Sequence, residues 1–280
     1  MNFAERITKI PRQIIYAVIA LAIIIPLIAP IGMAINVMPQ TQKLIDAIES
    51  LPPDSKPVLI SCDFDPQSMP ELYPMLEATL NHCFNKGIKV LVLALWPQGA
   101  GMAEMALKKV PEVYNRKYGE DYVFLGYKAG AAAVVLGLGD NFKNVFPADY
   151  YNKPLDSLPL TAHIKNYNDI SLVISFSAGD PGYRTWLLYG QAKFGFKLGT
   201  GVTAVSAADT YPYLNSGQLT GVFAGMKGAA EYETALAKKG YTLTSRNATK
   251  AMDAQSLGHF FIMVFIIIGN VGYFLIRRKK

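Results

Sequence analysis

The feature that most limits what this chain can become is a pair of uncharged apolar runs near its two ends, Ile14 to Val37 and Leu257 to Ile276. Each reaches the roughly 20 residues an α-helix needs to cross about 30 Å of hydrocarbon. Together they account for a mean hydropathy of +0.20. Both are expected to be transmembrane helices. The expected layout is a tail at 1–13, a first span at 14–37, an α/β domain at 38–256, a second span at 257–276 and a tail at 277–280. Gly32-Met33-Ala34 is a small-x-small site of the kind found at signal-peptide cleavage points. The apolar run is longer than the roughly 7–15 residues of a signal-peptide core, so an uncleaved anchor is expected.

Charge sets the expected orientation. The tails carry seven of the 27 Lys+Arg (Arg6, Lys9, Arg12, Arg277, Arg278, Lys279 and Lys280) and one of the 21 Asp+Glu, Glu5. That leaves 20 of each sign between the spans, so the whole net charge of +6 comes from the tails. Basic residues flanking a span stay on the cytoplasmic side. Both termini are therefore expected in the cytoplasm and the middle domain outside it, with the lipid bilayer as a partner. A neutral domain has no basic field with which to gather phosphates, which argues against nucleic-acid binding. The two cysteines, Cys62 and Cys83, fit neither a disulfide framework nor a metal site and are expected to be buried thiols.

Between the spans, short apolar runs alternate with helical spacing. Helices are expected over 41–51, 71–84, 102–110, 131–137, 183–194 and 216–239, and strands over 58–62, 88–95, 121–127, 171–177 and 201–207. Ile88 to Leu95 is apolar almost throughout, as in a strand covered on both faces of a parallel sheet. The pattern implies an open, mostly parallel five-stranded sheet with helices on both faces, a Rossmann-like fold. Residues 141–170 have little periodicity and three prolines, and are expected to form a lid or a partner-binding excursion.

Ligands in such sheets bind beyond the carboxyl ends of the strands. The loops there hold Asp63 and Asp65; Trp96, Gly99 and Gly101; Lys128 and Gly130; Asp180 and Arg184; and Asp209. These are the candidate ligand-binding residues. A strand ending in Asp63-x-Asp65, with Lys128 and the Gly139-Asp140 pair further on, resembles the haloacid-dehalogenase phosphatases. That resemblance implies Asp63 as nucleophile toward phosphorus, Asp65 as general acid, and the acids as holders of Mg²⁺. Pro66-Gln67 after the second acid, and the lack of an acid within four positions after Asp140, depart from that pattern. A Ser–Lys pairing of Ser177 or Ser216 with Lys128 rests on composition alone. No metal-ligand spacing, G-x-S-x-G elbow or Walker loop is present, so no cofactor is expected.

Gly217, Gly221, Gly225 and Gly228 fall within the helix expected over 216–239 and would make a nearly bare stripe on it. Such a stripe implies close approach of another backbone, either the domain's own sheet or a second subunit. The expected function is therefore a membrane-anchored, extracytoplasmic domain that binds a ligand or a partner, such as another membrane protein, as a homo-oligomeric scaffold. The alternative is a membrane-bound, metal-dependent hydrolase using Asp63 and Asp65.

Overall fold

The computed structural model describes residues 10–277. The cationic tail residues Arg6, Lys9, Arg278, Lys279 and Lys280 lie outside the described residues. The chain forms two compact units, one from Ile35–Ala248 and one from the two ends, Met1–Ala34 with Thr249–Lys280.

In the terminal unit, helix α1 spans Arg12–Ile28, 17 residues, and stops well short of the span expected over 14–37. Its end has a local cause. Ala29 precedes Pro30, and the clash with the proline ring drives it out of the helical region, to φ −123° and ψ 91°. The C-terminal helix runs over Asn247–Arg277 and is the only one among the described residues long and apolar enough to cross a membrane. Of its most apolar window, 6% is buried. The two ends of the chain are tied together by a carboxylate. Asp253, fully buried, accepts the backbone N–H groups of Ile31, Gly32 and Met33 at 3.0, 2.8 and 3.0 Å. Three successive amides turned toward one anion form a nest, which Gly32 permits by taking φ +73°.

The α/β unit begins with α2, Pro39–Glu49, which buries Leu44, Ile45 and Ile48. Next come β1 (Val58–Asp63), α3 (Met69–Asn85), β2 (Val90–Ala94), α4 (Pro97–Val113), β3 (Tyr122–Tyr127), α5 (Ala131–Asp140) and α6 (Phe142–Val145). Then follow β4 (Leu172–Ser177) and a helical stretch, α7, built from Tyr183–Thr185, a π-helical Trp186–Gln191 and Ala192–Phe194. The unit closes with β5 (Leu198–Val202), α8 (Tyr211–Asn215), β6 (Gly221–Ala224) and α9 (Gly225–Lys238). The C-terminal helix is α10.

The sheet is parallel throughout, in the order β3-β2-β1-β4-β5-β6. It is an open, Rossmann-like α/β sheet of six strands rather than five. Every residue of β1, β2, β4 and β5 is buried. That burial is why these strands need apolar residues on both faces.

Three expectations are corrected. The fifth strand lies at 198–202, not 201–207, because Ala204–Ser206 turns into a 3-10 segment. The helix expected over 216–239 begins only at Gly225, and a sixth strand occupies Gly221–Ala224. Of Gly217, Gly221, Gly225 and Gly228, only the last two lie in this helix, so the four-residue stripe is not formed. Gly221 instead faces α2: a Cβ there would lie 2.4 Å from the backbone nitrogen of Leu44. The close approaches at Gly221, Gly225 and Gly228 are made within the chain itself, and the helical stripe on which a subunit interface was expected is not formed.

Residues 141–170 are also no loose excursion. Phe142, Phe146, Leu155, Leu158, Ile164 and Tyr167 join the core, and Tyr150 N–H donates to the Phe124 carbonyl at 2.8 Å. The segment covers the open edge of β3, one of the ways natural sheets avoid edge-to-edge association.

Candidate functional site

The strand order reverses direction between β1 and β4, so the crevice at their carboxyl ends is where a sheet of this topology places a ligand. Asp63 ends β1 in register with Ser177, and Ser61 pairs with Ser175 two residues earlier. With a side-chain period of two, all four project to the same face of the sheet. Polar side chains on a face otherwise filled by residues such as Leu59 and Val173 need partners. Asp63 has them: Ser61 Oγ–H at 2.7 and 2.8 Å, Leu95 N–H at 2.8 Å and Ser175 Oγ–H at 3.1 Å.

These donors do not compensate for burial. Burial pushes the Asp63 carboxyl up to about 7, with the Leu95, Ser61 and Ser175 hydrogen bonds opposing it. Among the described residues no cation pairs with it. Trp186, in the π-helical part of α7, stands near enough to favour the carboxylate, yet its fully buried indole N–H closes no hydrogen bond. π-Helical turns within helices are frequent at functional sites.

The loops around this point are locked together. Trp96 Nε1–H reaches from the end of β2 to the Pro181 carbonyl beyond β4. The first turn of α4 presses on the end of β1, where a Cβ on Gly99 would lie 1.8 Å from the Cys62 carbonyl oxygen. Beside Ser177 a recess of about 50 Å³ is lined by Ser177, Gly179, Asp180, Tyr183, Arg184 and Asp209, with Ser206 on the same wall. Arg184 meets Asp209 at 2.7 Å and Asp180 at 3.9 Å. Tyr183 N–H donates to Ser177 Oγ at 3.3 Å. The Tyr183 hydroxyl is buried and closes no hydrogen bond of good geometry; burial raises its pKa, while the Arg184 guanidinium, 5.8 Å from its ring centre, favours the ionised hydroxyl.

Of the residues predicted for this edge, Asp180, Arg184 and Asp209 are brought together, and Trp96 and Gly99 frame the same end of the sheet. Asp63 ends β1 beside Ser177 and does not itself line the recess. Asp65 instead accepts the Ser68 N–H at 3.1 Å in the turn leading into α3. Lys128 follows β3, two strands away from β1, with its ammonium 5.8 Å over the Phe146 ring. Gly130 precedes α5, and Gly101 has open space around it. Asp140 ends α5, which runs back from the carboxyl edge to the opposite edge of the sheet. The phosphatase-like constellation of Asp63, Lys128 and Asp140 is therefore not assembled. Among the described residues no group of three His, Cys, Asp or Glu side chains is placed to hold a metal ion. Cys62 and Cys83 are buried free thiols.

Sequence reasoning missed Ser61, Ser175, Tyr183 and Ser206. The available signal for the first two was a serine inside each of two apolar strand runs, two residues before its end. No protein-family model, curated protein or solved structure matches the chain.

Proposed function

We propose that this protein is a membrane-anchored α/β domain that binds a small polar ligand in the recess beside Ser177. The observation that carries the reading is the convergence of Asp180 and Arg184 from the β4–α7 loop with Asp209 from the β5–α8 loop. They meet at the carboxyl edge where a Rossmann-like sheet receives ligands. Asp63 supports the reading: it does not line the recess, but its buried carboxyl, pushed up to about 7, stands in register with Ser177, which does.

The anchor in this proposal is α10. Basic residues follow its apolar stretch, and their preference for the cytoplasm puts the α/β domain on the other side of the membrane. α1 contributes a second apolar helix of about 25 Å at 1.5 Å per residue, tied to the start of α10 through Asp253. In that arrangement both ends of the chain enter the bilayer and both tails face the cytoplasm.

Two measurements test this. Alkaline extraction of membranes should leave the protein in the pellet, and protease outside sealed cells should digest the α/β domain; release, or full protection of the domain, would refute the anchor or its sidedness. In mild detergent, a panel of small polar solutes should include at least one that raises the melting temperature of the full chain. Arg184→Ala should abolish that rise. A rise that survives this change would move the binding site elsewhere.

A further inference from the structure

We infer that the recess beside Ser177 takes the head group of a small zwitterion, an ammonium next to a carboxylate as in a free α-amino acid. This rests on the reading of the recess as a ligand site and adds the chemistry of its occupant.

The wall carries charges of both signs within one ligand's reach. Side-chain exposures of 63% for Asp180, 57% for Asp209 and 45% for Arg184 leave all three open to a ligand. Arg184 presents five N–H donors, of which Asp209 engages one closely, while Asp180 at 3.9 Å is beyond hydrogen-bond distance. Donors therefore remain for a ligand carboxylate. The Ser177 hydroxyl accepts from Tyr183 N–H, so its own proton is free to join them. The two aspartates offer acceptors to an ammonium.

The second observation is Tyr183, which is 4% exposed and lines the recess. Its buried hydroxyl closes no hydrogen bond of good geometry, and the neighbouring Arg184 guanidinium is the group that favours it electrostatically. Buried polar groups in native proteins are rarely left without such a bond, and in this proposal a ligand group at the recess supplies it.

The other ligand classes fit less well. With two carboxylates to one guanidinium, the wall repels a phosphate or a lone carboxylate. A bare cation leaves Arg184 unused, and a polyol uses none of the charge. The recess is small, about 50 Å³, and its charged wall is half-exposed. In this proposal the head group meets the wall and the ligand's side chain points to the open side. Recognition should therefore depend on the head group and hardly on the side chain.

The test is calorimetry on the full chain in detergent with glycine, L-alanine, methylammonium, acetate and glycerol as probes. Glycine and L-alanine should bind within about threefold of each other, and methylammonium and acetate at least about tenfold more weakly. Arg184→Gln and Asp209→Asn should each weaken glycine by about tenfold or more, with circular dichroism unchanged. If methylammonium, acetate or glycerol binds as tightly as glycine and Arg184→Gln weakens it, the zwitterion fails and the recess stands. If both variants bind glycine like wild type, the location is wrong. If no probe binds, both this inference and the ligand-site reading fall.

Discussion

Asp63 and His82 are both fully buried and both held far from their ordinary titration ranges, but their surroundings differ. His82 sits between helices. Its Nε2–H donates to Glu49 Oε2 at 2.9 Å, and its Nδ1 accepts from Tyr232 OH at 2.8 Å, the tautomer that suits both partners. Burial lowers it to about 4 despite the Glu49 contact, so it is neutral at physiological pH. Burial works against the Glu49 charge too. Even so, hydrogen bonds from His82 and Tyr241, helped by the charge of Lys86, hold it down to about 2.

Two buried acids on the helical side are matched by cations, Glu77 by Lys109 at 2.7 Å and Glu231 by Lys227 at 2.6 Å, and a third buried acid, Asp253, is held by three backbone N–H groups. Asp63 has only neutral donors and carries a protonation near neutrality that the fold does not offset. Glu77 and Glu231 are paired with cations, whereas Asp63 at the carboxyl edge has no cation beside it among the described residues and its carboxyl is pushed up by burial. Such a buried carboxyl is costly for stability and characteristic of a site kept for function.

The largest effect that would break this comparison comes from His82→Leu. It removes a partner from both Glu49 and the buried Tyr232, and should cost about 4 kcal/mol in denaturant unfolding. A loss under about 1 kcal/mol would deny the network its structural role.

Next is the pH dependence. The folded pKa of His82 lies below its unfolded value, so its contribution is complete above about pH 6.5 and lost as pH falls toward 4. Asp63 is shifted upward, so its contribution is greatest below about pH 4 and lost as pH rises toward 7. The two oppose each other in wild type. Asp63→Asn should therefore unmask a loss of about 2–3 kcal/mol between pH 6.5 and 4, and a flat profile in that variant would contradict the His82 assignment. The smallest effect is Ser175→Ala, which removes one donor to Asp63. It should raise the Asp63 pKa further and cost about 1 kcal/mol at pH 8, less at pH 5; equal losses at both pH values would show that the hydroxyl does not serve the carboxylate.

Strands β1 to β4 were legible because each is an apolar run bounded by turn residues. The last two strands were not. Leu198-Gly-Thr-Gly-Val and Gly221-Val-Phe-Ala have too few side chains to read as strands, and the bareness of Gly199 and Gly221 is set by Leu44 on α2, more than 150 positions away in sequence. Likewise, Asp180, Arg184 and Asp209 could be found from the loop residues that come after each strand. The partners of Asp63 could not, because they depend on the β1–β4 register, which pairs Ser61 with Ser175. The first apolar run misled by its length: proline ends its helix at Ile28 although the sequence stays apolar to Val37.

The most direct test of the claim that Asp63 serves a site rather than the fold is thermal unfolding of the full chain and of Asp63→Asn at pH 5 and pH 8. The account predicts that the variant is more stable than wild type at pH 8, by on the order of 1–3 kcal/mol, and gains little at pH 5. A variant less stable than wild type at pH 8 would contradict it, and would make Asp63 a structural residue like His82.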